Sequence, residues 1–174
     1  IMIPDNGFAN QAALQEQAAP LTRKYLLADT HIDVPYRLHD GWVDVTVAAP
    51  DGQFDYPRAV QGGLSLLFMS IYTPADMEQD GDSFELANQL IDAVEAIAAR
   101  APDKFMLVDS VDDANKAFAS QRIGLAMGME NGSPIGHKIE NIRHFADRGI
   151  RYITLTHGLS NQICDSSYDE NHPW

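Results

Sequence analysis

The chain has 174 residues, 45% of them hydrophobic, which is enough for one domain with a real core. Its net charge of −13 and the lack of any Lys/Arg cluster exclude nucleic-acid binding, and no apolar run approaches the ~18 residues of a membrane span. A single cysteine, Cys164, excludes an internal disulfide and a cysteine-rich zinc site.

Residues 1–24 are rich in Asn, Gln and Ala and read as an N-terminal arm, with a short helix over Gln11–Ala19 that stops at Pro20. The run Tyr25–Asp33 reads as a buried strand with polar residues at its end, stopped by Pro35. Trp42–Phe54 is loop-like, with Pro50, Asp51 and Gly52 as turn residues. Gly63–Tyr72 is a second apolar strand. The spacing of Phe84, Ala87, Leu90, Ile91, Val94, Ile97 and Ala98 predicts a helix over 83–100, with Asp82 and Glu85 as a capping box. A short strand (Phe105–Val108), a short helix (Val111–Ala119) and a third core strand (Ile123–Glu130) follow. Ile139–Arg148 reads as a helix that places His144 on its surface, and Arg151–Thr156 as a fourth core strand that delivers His157.

Alternating strands and helices, with near-continuous apolar strands, specify a parallel sheet covered by helices. His31 and Asp33, then Glu130, then His157 sit at the C-terminal ends of three separate strands. In a (β/α)8 barrel of the TIM type, that end is where chemistry is done. About four main strands are present against eight in a barrel, so residues 25–174 are read as its N-terminal half, within a longer protein.

Each of these residues has a plain alternative. His31 and Asp33 lie two apart, which puts both side chains on one strand face, where an imidazole and a carboxylate can reach one cation or simply close a strand end. Glu130 ends an apolar strand, where a carboxylate needs a metal or another partner, and its two oxygens can bridge two ions. His157 can polarise a carbonyl and steady an oxyanion, or structure a turn with Gly158. Asn161 and Asp165, with Ser166, can orient the ligating groups or shape the loop. Asp29, His39, His137, His144 and His172 are not assigned as ligands.

Three segments make the pattern specific: Ala28-Asp29-Thr30-His31-Ile32-Asp33-Val34-Pro35, Met129-Glu130-Asn131-Gly132, and Leu155-Thr156-His157-Gly158 through Asp165-Ser166. They resemble, in order, three motifs of the renal (membrane) dipeptidase family, peptidase family M19 of the metal-dependent amidohydrolase superfamily. Phe54-Asp55-Tyr56-Pro57-Arg58 through Gly62-Gly63 adds to the resemblance, which runs from about Tyr25 to the C-terminus. His-x-Asp on the first strand separates this family from relatives with His-x-His there.

The resemblance implies two zinc ions per active site. His31 and Asp33 would bind the first, Glu130 would bridge both, and His157 would contact the substrate; the remaining ligands and the general base lie on later strands. The implied activity is hydrolysis of the peptide bond of dipeptides by a metal-activated water. Two alternatives stay open: a homologue acting on another small amide or in maturation of a peptide natural product, and a metal-free binding module. A homodimer is usual in the family. A polar arm without an initiator Met favours a periplasmic or exported protein, after signal removal, over a cytoplasmic one.

Overall fold

The computed structural model describes residues 7–77 and 81–170; His172, for which no role is assigned above, lies outside the described residues. In chain order the elements are α1 (Gly7–Lys24), β1 (Ala28–Ile32), α2 (Val34–Asp40), α3 (Tyr56–Gly62), β2 (Leu66–Tyr72), α4 (Ser83–Arg100), β3 (Phe105–Leu107), α5 (Val111–Ala119), β4 (Ile123–Glu130), a 3-10 turn (Ser133–Ile135), α6 (Glu140–Asp147) and β5 (Ile150–Thr154). None of the described helices is long and apolar enough to cross a membrane.

Every strand pair is parallel. β4 is the hub. Along one edge it pairs with β2 from Gly124 to Glu130. Its other edge is shared: β3 takes Ile123–Leu125 and β5 takes the end near Met127–Glu130. With β3 set aside as a short addition, the main strands β1, β2, β4 and β5 lie side by side in chain order. Parallel neighbours joined through helices form successive βαβ units, and this sheet is part of a (β/α)8 barrel.

Strand alternation divides the sheet into two faces. Leu67, Met69 and Ile71 of β2 and Ile123, Leu125, Met127 and Met129 of β4 pack outward in one cluster with Leu90, Ile91, Val94 and Ile97 of α4. Burying each such side chain stabilises the fold by roughly 1.5–3 kcal/mol. The opposite face carries Leu66, Phe68, Ser70 and Tyr72 of β2 and Gly124, Ala126, Gly128 and Glu130 of β4. Near the start of the strands this inner face is apolar, with Leu66 and Ala126 packed against Ala114 and Ala117 of α5. Near their ends it turns polar.

Several sequence expectations are corrected here. Pro20 does not stop α1, which runs through it to Lys24; proline removes one N–H but keeps a helical φ, and the Thr22 hydroxyl donates to Ala19 O at 3.1 Å in the turn that follows. Pro35 does more than end a strand: it sits in the first turn of α2, where its missing N–H costs nothing. α2 and α3 were not expected at all. α3 is capped by Asp55, whose carboxylate accepts from Arg58 N, and it ends at Gly63 in the left-handed region (φ 76°). The capping box at α4 is not made: the Asp82 side chain forms no cap, and Glu85 accepts from Gln89 Nε2 at 3.2 Å instead. His144 is half-buried between helices, with Nε2 2.9 Å from Asn88 Oδ1 and its ring against Phe84 and Phe145. β5 ends at Thr154, so Leu155, Thr156 and His157 belong to the following loop.

Candidate metal centre

β1 carries His31 within a register irregularity between Asp29 and Ile32. Asp29 Oδ1 accepts from His31 N at 3.1 Å and holds this kinked end in shape. Asp33 lies just past the strand, at the N-cap position of α2, and makes no side-chain cap bond. Its carboxylate is therefore not used by the helix and turns back to His31, with Oδ1 3.4 Å from His31 Nε2.

Glu130 arrives from β4, two strands away. Its Oε2 lies 3.1 Å from His31 Nε2, and its Oε1 lies 3.3 Å from His157 Nε2. One carboxylate thus faces the β1 cluster with one oxygen and the β5 loop with the other. Ser70 Oγ donates to Oε2 at 2.8 Å and fixes the carboxylate's rotation. Asn131, the next residue, turns the chain with φ 74° and ties its Nδ2 to Thr73 O at 2.8 Å, which anchors the end of β4 to the end of β2.

One ligand atom each from His31, Asp33 and Glu130 lies within 4.8 Å of the others. One imidazole nitrogen and two carboxylate oxygens form a donor set suited to Zn²⁺ and related divalent ions. The charge balance agrees. The Glu130 side chain is only 15% exposed, and among the described residues the basic groups within 4 Å of its carboxylate are the two imidazoles, with no Lys or Arg in salt-bridge reach. A shielded carboxylate next to a second one calls for a cation.

Aromatic residues wall the site. Tyr72, at the end of β2, sets its ring edge-on to His157 and to Tyr36 of α2, each at 5.1 Å between centroids. Burial holds the Tyr72 hydroxyl above the ordinary tyrosine value, reinforced by Tyr36 and then Glu130. Burial does the same for Tyr152, reinforced by Glu130 and Asp33. Both therefore stay protonated at neutral pH and act as hydrogen-bonding phenols. A cavity of about 430 Å³ opens beside this cluster, lined by Asp33, Tyr36, Arg37, Asp40, Tyr72, Glu130 and His157. That is a size typical of small-molecule sites.

The structure brings His31, Asp33, Glu130 and His157 together at one end of the sheet. Asn161 is buried in the loop after β5, where Nδ2 donates to Asn131 Oδ1 at 2.9 Å and to Leu155 O at 2.7 Å, and Oδ1 accepts from Ile163 N at 2.8 Å. It knits the loop after β5 to the loop after β4. Asp165 Oδ1 is buried without a hydrogen-bond partner. Ser166 Oγ donates to His157 O at 2.7 Å and so holds the histidine backbone. Sequence reasoning did not single out Ser70, Tyr72 or Tyr152. The available signal was a polar atom inside each apolar strand, on the same face as Glu130 or His31.

Comparisons with known proteins place the fold and the family. Residues 15–173 match the family model of the membrane dipeptidases, peptidase family M19. The chain is similar to dipeptidase ataJ of Aspergillus terreus, with 31% identity over 95% of this chain and 44% of that protein. It is also similar to dipeptidase 3 of Mus musculus, with 30% identity over 91% of this chain and 32% of that protein. It thus spans less than half the length of these relatives. Among solved structures, the fold matches the probable dipeptidase PvdM from Pseudomonas aeruginosa with a TM-score of 0.77 at 21% identity, covering 88% of this chain and 40% of that one. It also matches a metallopeptidase from Rhodobacter sphaeroides bound to a phosphinate mimic of the dipeptide L-Ala-D-Ala, with a TM-score of 0.62 at 19% identity, covering 74% of this chain and 44% of that one. The chain therefore belongs to the membrane dipeptidase family, peptidase family M19.

Proposed function

We propose that this chain carries the first part of the active site of a zinc-dependent dipeptidase, with two zinc ions in the complete site. The observation that supports it most is the convergence of His31 Nε2, Asp33 Oδ1 and Glu130 Oε2 at the C-terminal ends of β1 and β4. His31 and Asp33 would hold the first ion, and Glu130 would reach both through its separate oxygens. Bound there, zinc supplies a Lewis acid and a nucleophile at neutral pH.

The residues of this chain then have distinct tasks. Ser70 keeps the Glu130 carboxylate in one orientation, so that the ligand is preorganised. His157, 48% exposed and steadied by the Tyr72 ring edge, faces the cavity and donates a hydrogen bond to the scissile carbonyl oxygen as it gains negative charge. Tyr36 and Tyr72 form an apolar wall with polar tips, against which a short substrate can rest. The cavity's volume suits a dipeptide. Second-sphere roles for Asn161 and Asp165 belong to the same proposal, exerted through the loop that positions His157.

Metal analysis of the purified protein, coupled to hydrolysis of a panel of L,L and L,D dipeptides, tests the reading. The expected result is about two zinc ions per chain in the full-length protein, dipeptide cleavage, and inhibition by a phosphinate dipeptide mimic. A full-length protein that binds no divalent metal and cleaves no dipeptide would defeat it. Cleavage of lactams or other small amides in place of dipeptides would redirect the substrate class while keeping the metal chemistry.

A further inference from the structure

The hydroxyl of Tyr152 bridges β5 to β1. It donates to Thr30 O at 3.1 Å and lies 3.2 Å from His31 Nδ1. A carbonyl oxygen can only accept, so the single phenolic proton is committed to Thr30. The phenolic oxygen is then left to accept, and His31 Nδ1 must carry the proton that it receives. An imidazole protonated at Nδ1 presents its lone pair at Nε2. That is the atom 3.1 Å from Glu130 Oε2 and 3.4 Å from Asp33 Oδ1.

The ring is placed for this task from both sides. Position 128 of β4 is glycine, and a Cβ there would overlap the Tyr152 ring. Phe68 of β2 lies against the same ring, 5.5 Å between centroids. The small residue lets the phenol lie across β4 and, past β2, reach β1.

We infer that Tyr152 is a positioning residue that fixes His31 as the Nδ1–H tautomer and aims its Nε2 lone pair at the cation site shared with Asp33 and Glu130. The inference rests on reading His31 as a metal ligand. Without the hydroxyl, the two carboxylates draw the proton to Nε2, where it occupies the lone pair that coordination needs.

Tyr152→Phe tests this, because it keeps the ring and removes only the hydroxyl. Long-range ¹H–¹⁵N imidazole spectra of the metal-free protein, recorded at about pH 8.5, well above the ordinary histidine range, should show a proton on His31 Nδ1. In Tyr152→Phe that proton should move to Nε2. Zinc affinity, measured by competition with a chelating dye, should fall about tenfold, in line with loss of a ligand's hydrogen-bonding partner, while thermal unfolding stays close to the parent. Gly128→Ala, which keeps the hydroxyl but displaces the ring, should show the same shift and the same loss. A bare Nδ1 in the parent, an unchanged His31 spectrum in Tyr152→Phe, or an unchanged zinc affinity overturns the inference. Since the spectra are taken without metal, a parent that binds no zinc defeats the metal-centre reading while the tautomer is still decided.

Discussion

Asp55 and Glu130 are both shielded carboxylates, with side chains 3% and 15% exposed, yet their surroundings are opposite in kind. Asp55 is saturated by donors fixed in place: Arg58 N at 2.9 Å on Oδ1, and Ala49 N and Arg58 Nε, each at 2.9 Å, on Oδ2. Those contacts stabilise its ionised form and hold its carboxyl below the ordinary carboxylate value. Glu130 has one hydroxyl donor, Ser70, and two imidazoles whose protons are negotiable. One carboxylate is held by donors fixed in the fold, and the other by a hydroxyl and two imidazoles, the partners the metal-centre proposal rests on. The contrast separates a structural acid from one proposed as a ligand by the permanence of its partners, where burial alone does not.

Replacing each acid by its amide should separate the two most sharply. Glu130→Gln removes an oxygen from the cluster and, if the proposed dipeptidase reading holds, lowers dipeptide hydrolysis about a thousandfold or more. That follows from several kcal/mol of lost metal-derived stabilisation at ~1.36 kcal/mol per decade. Its zinc content should fall as well, with little loss of thermal stability, because the amide oxygen can still accept from Ser70 Oγ and repulsion with Asp33 is relieved. Retained zinc at the parental stoichiometry would place Glu130 with Asp55, as a structural group.

A smaller effect is expected at His157, the neighbour of Glu130 proposed to contact the substrate. His157→Ala should lower kcat about a hundredfold, as for loss of one oxyanion donor, with zinc content unchanged. Loss of zinc in that variant would make His157 a ligand and move it into the cluster. Smaller again, Ser70→Ala should weaken zinc binding about tenfold by freeing the Glu130 carboxylate to rotate, measured by the same dye competition. An unchanged affinity would show that the neighbouring imidazoles suffice to orient it.

The sequence exposed part of this contrast. β4 and α4 were legible to the residue, and β2 apart from a start read three residues early, because apolar runs and a seven-residue helical stripe do not fit other elements. His31, Asp33, Glu130 and His157 were legible because polar groups ending apolar strands fall on one end of a parallel sheet. Ser70 and Tyr152 were not. Their partners lie 60 and 121 residues away, and only the pairing of the strands, β2 with β4 for Ser70 and β4 with β5 for Tyr152, brings them to the site. The short helices α2 and α3 were missed for a local reason: Pro35 read as a break and Pro57 was quoted only within a family motif, although proline in a first turn starts a helix as readily as it ends a strand. Asp55 was quoted only as part of a family motif, and its cap, its arginine and its link to Ala49 needed coordinates.

The least effect on the metal centre, and a clear one on the fold, is expected from Asp55→Asn. The amide oxygen can still accept from Arg58 N and cap α3. The amide nitrogen, however, takes the place of Oδ2 and meets two donors, Ala49 N and Arg58 Nε, so a pair of hydrogen bonds becomes a pair of donor clashes. Zinc affinity should match the parent while Tm falls. The sign of the pH dependence follows from the depressed carboxyl of Asp55. Its contribution to stability is present above the ordinary value of 3.8 and is lost as pH falls through the lower folded-state value, where the folded carboxylate takes up a proton. Thermal unfolding of parent and variant between pH 7 and pH 3 should therefore show the widest gap near neutrality and a narrowing gap below about pH 4. A gap that stays constant into acid would mean that Asp55 acts through shape and packing, and the distinction from Glu130 would then rest on metal binding alone.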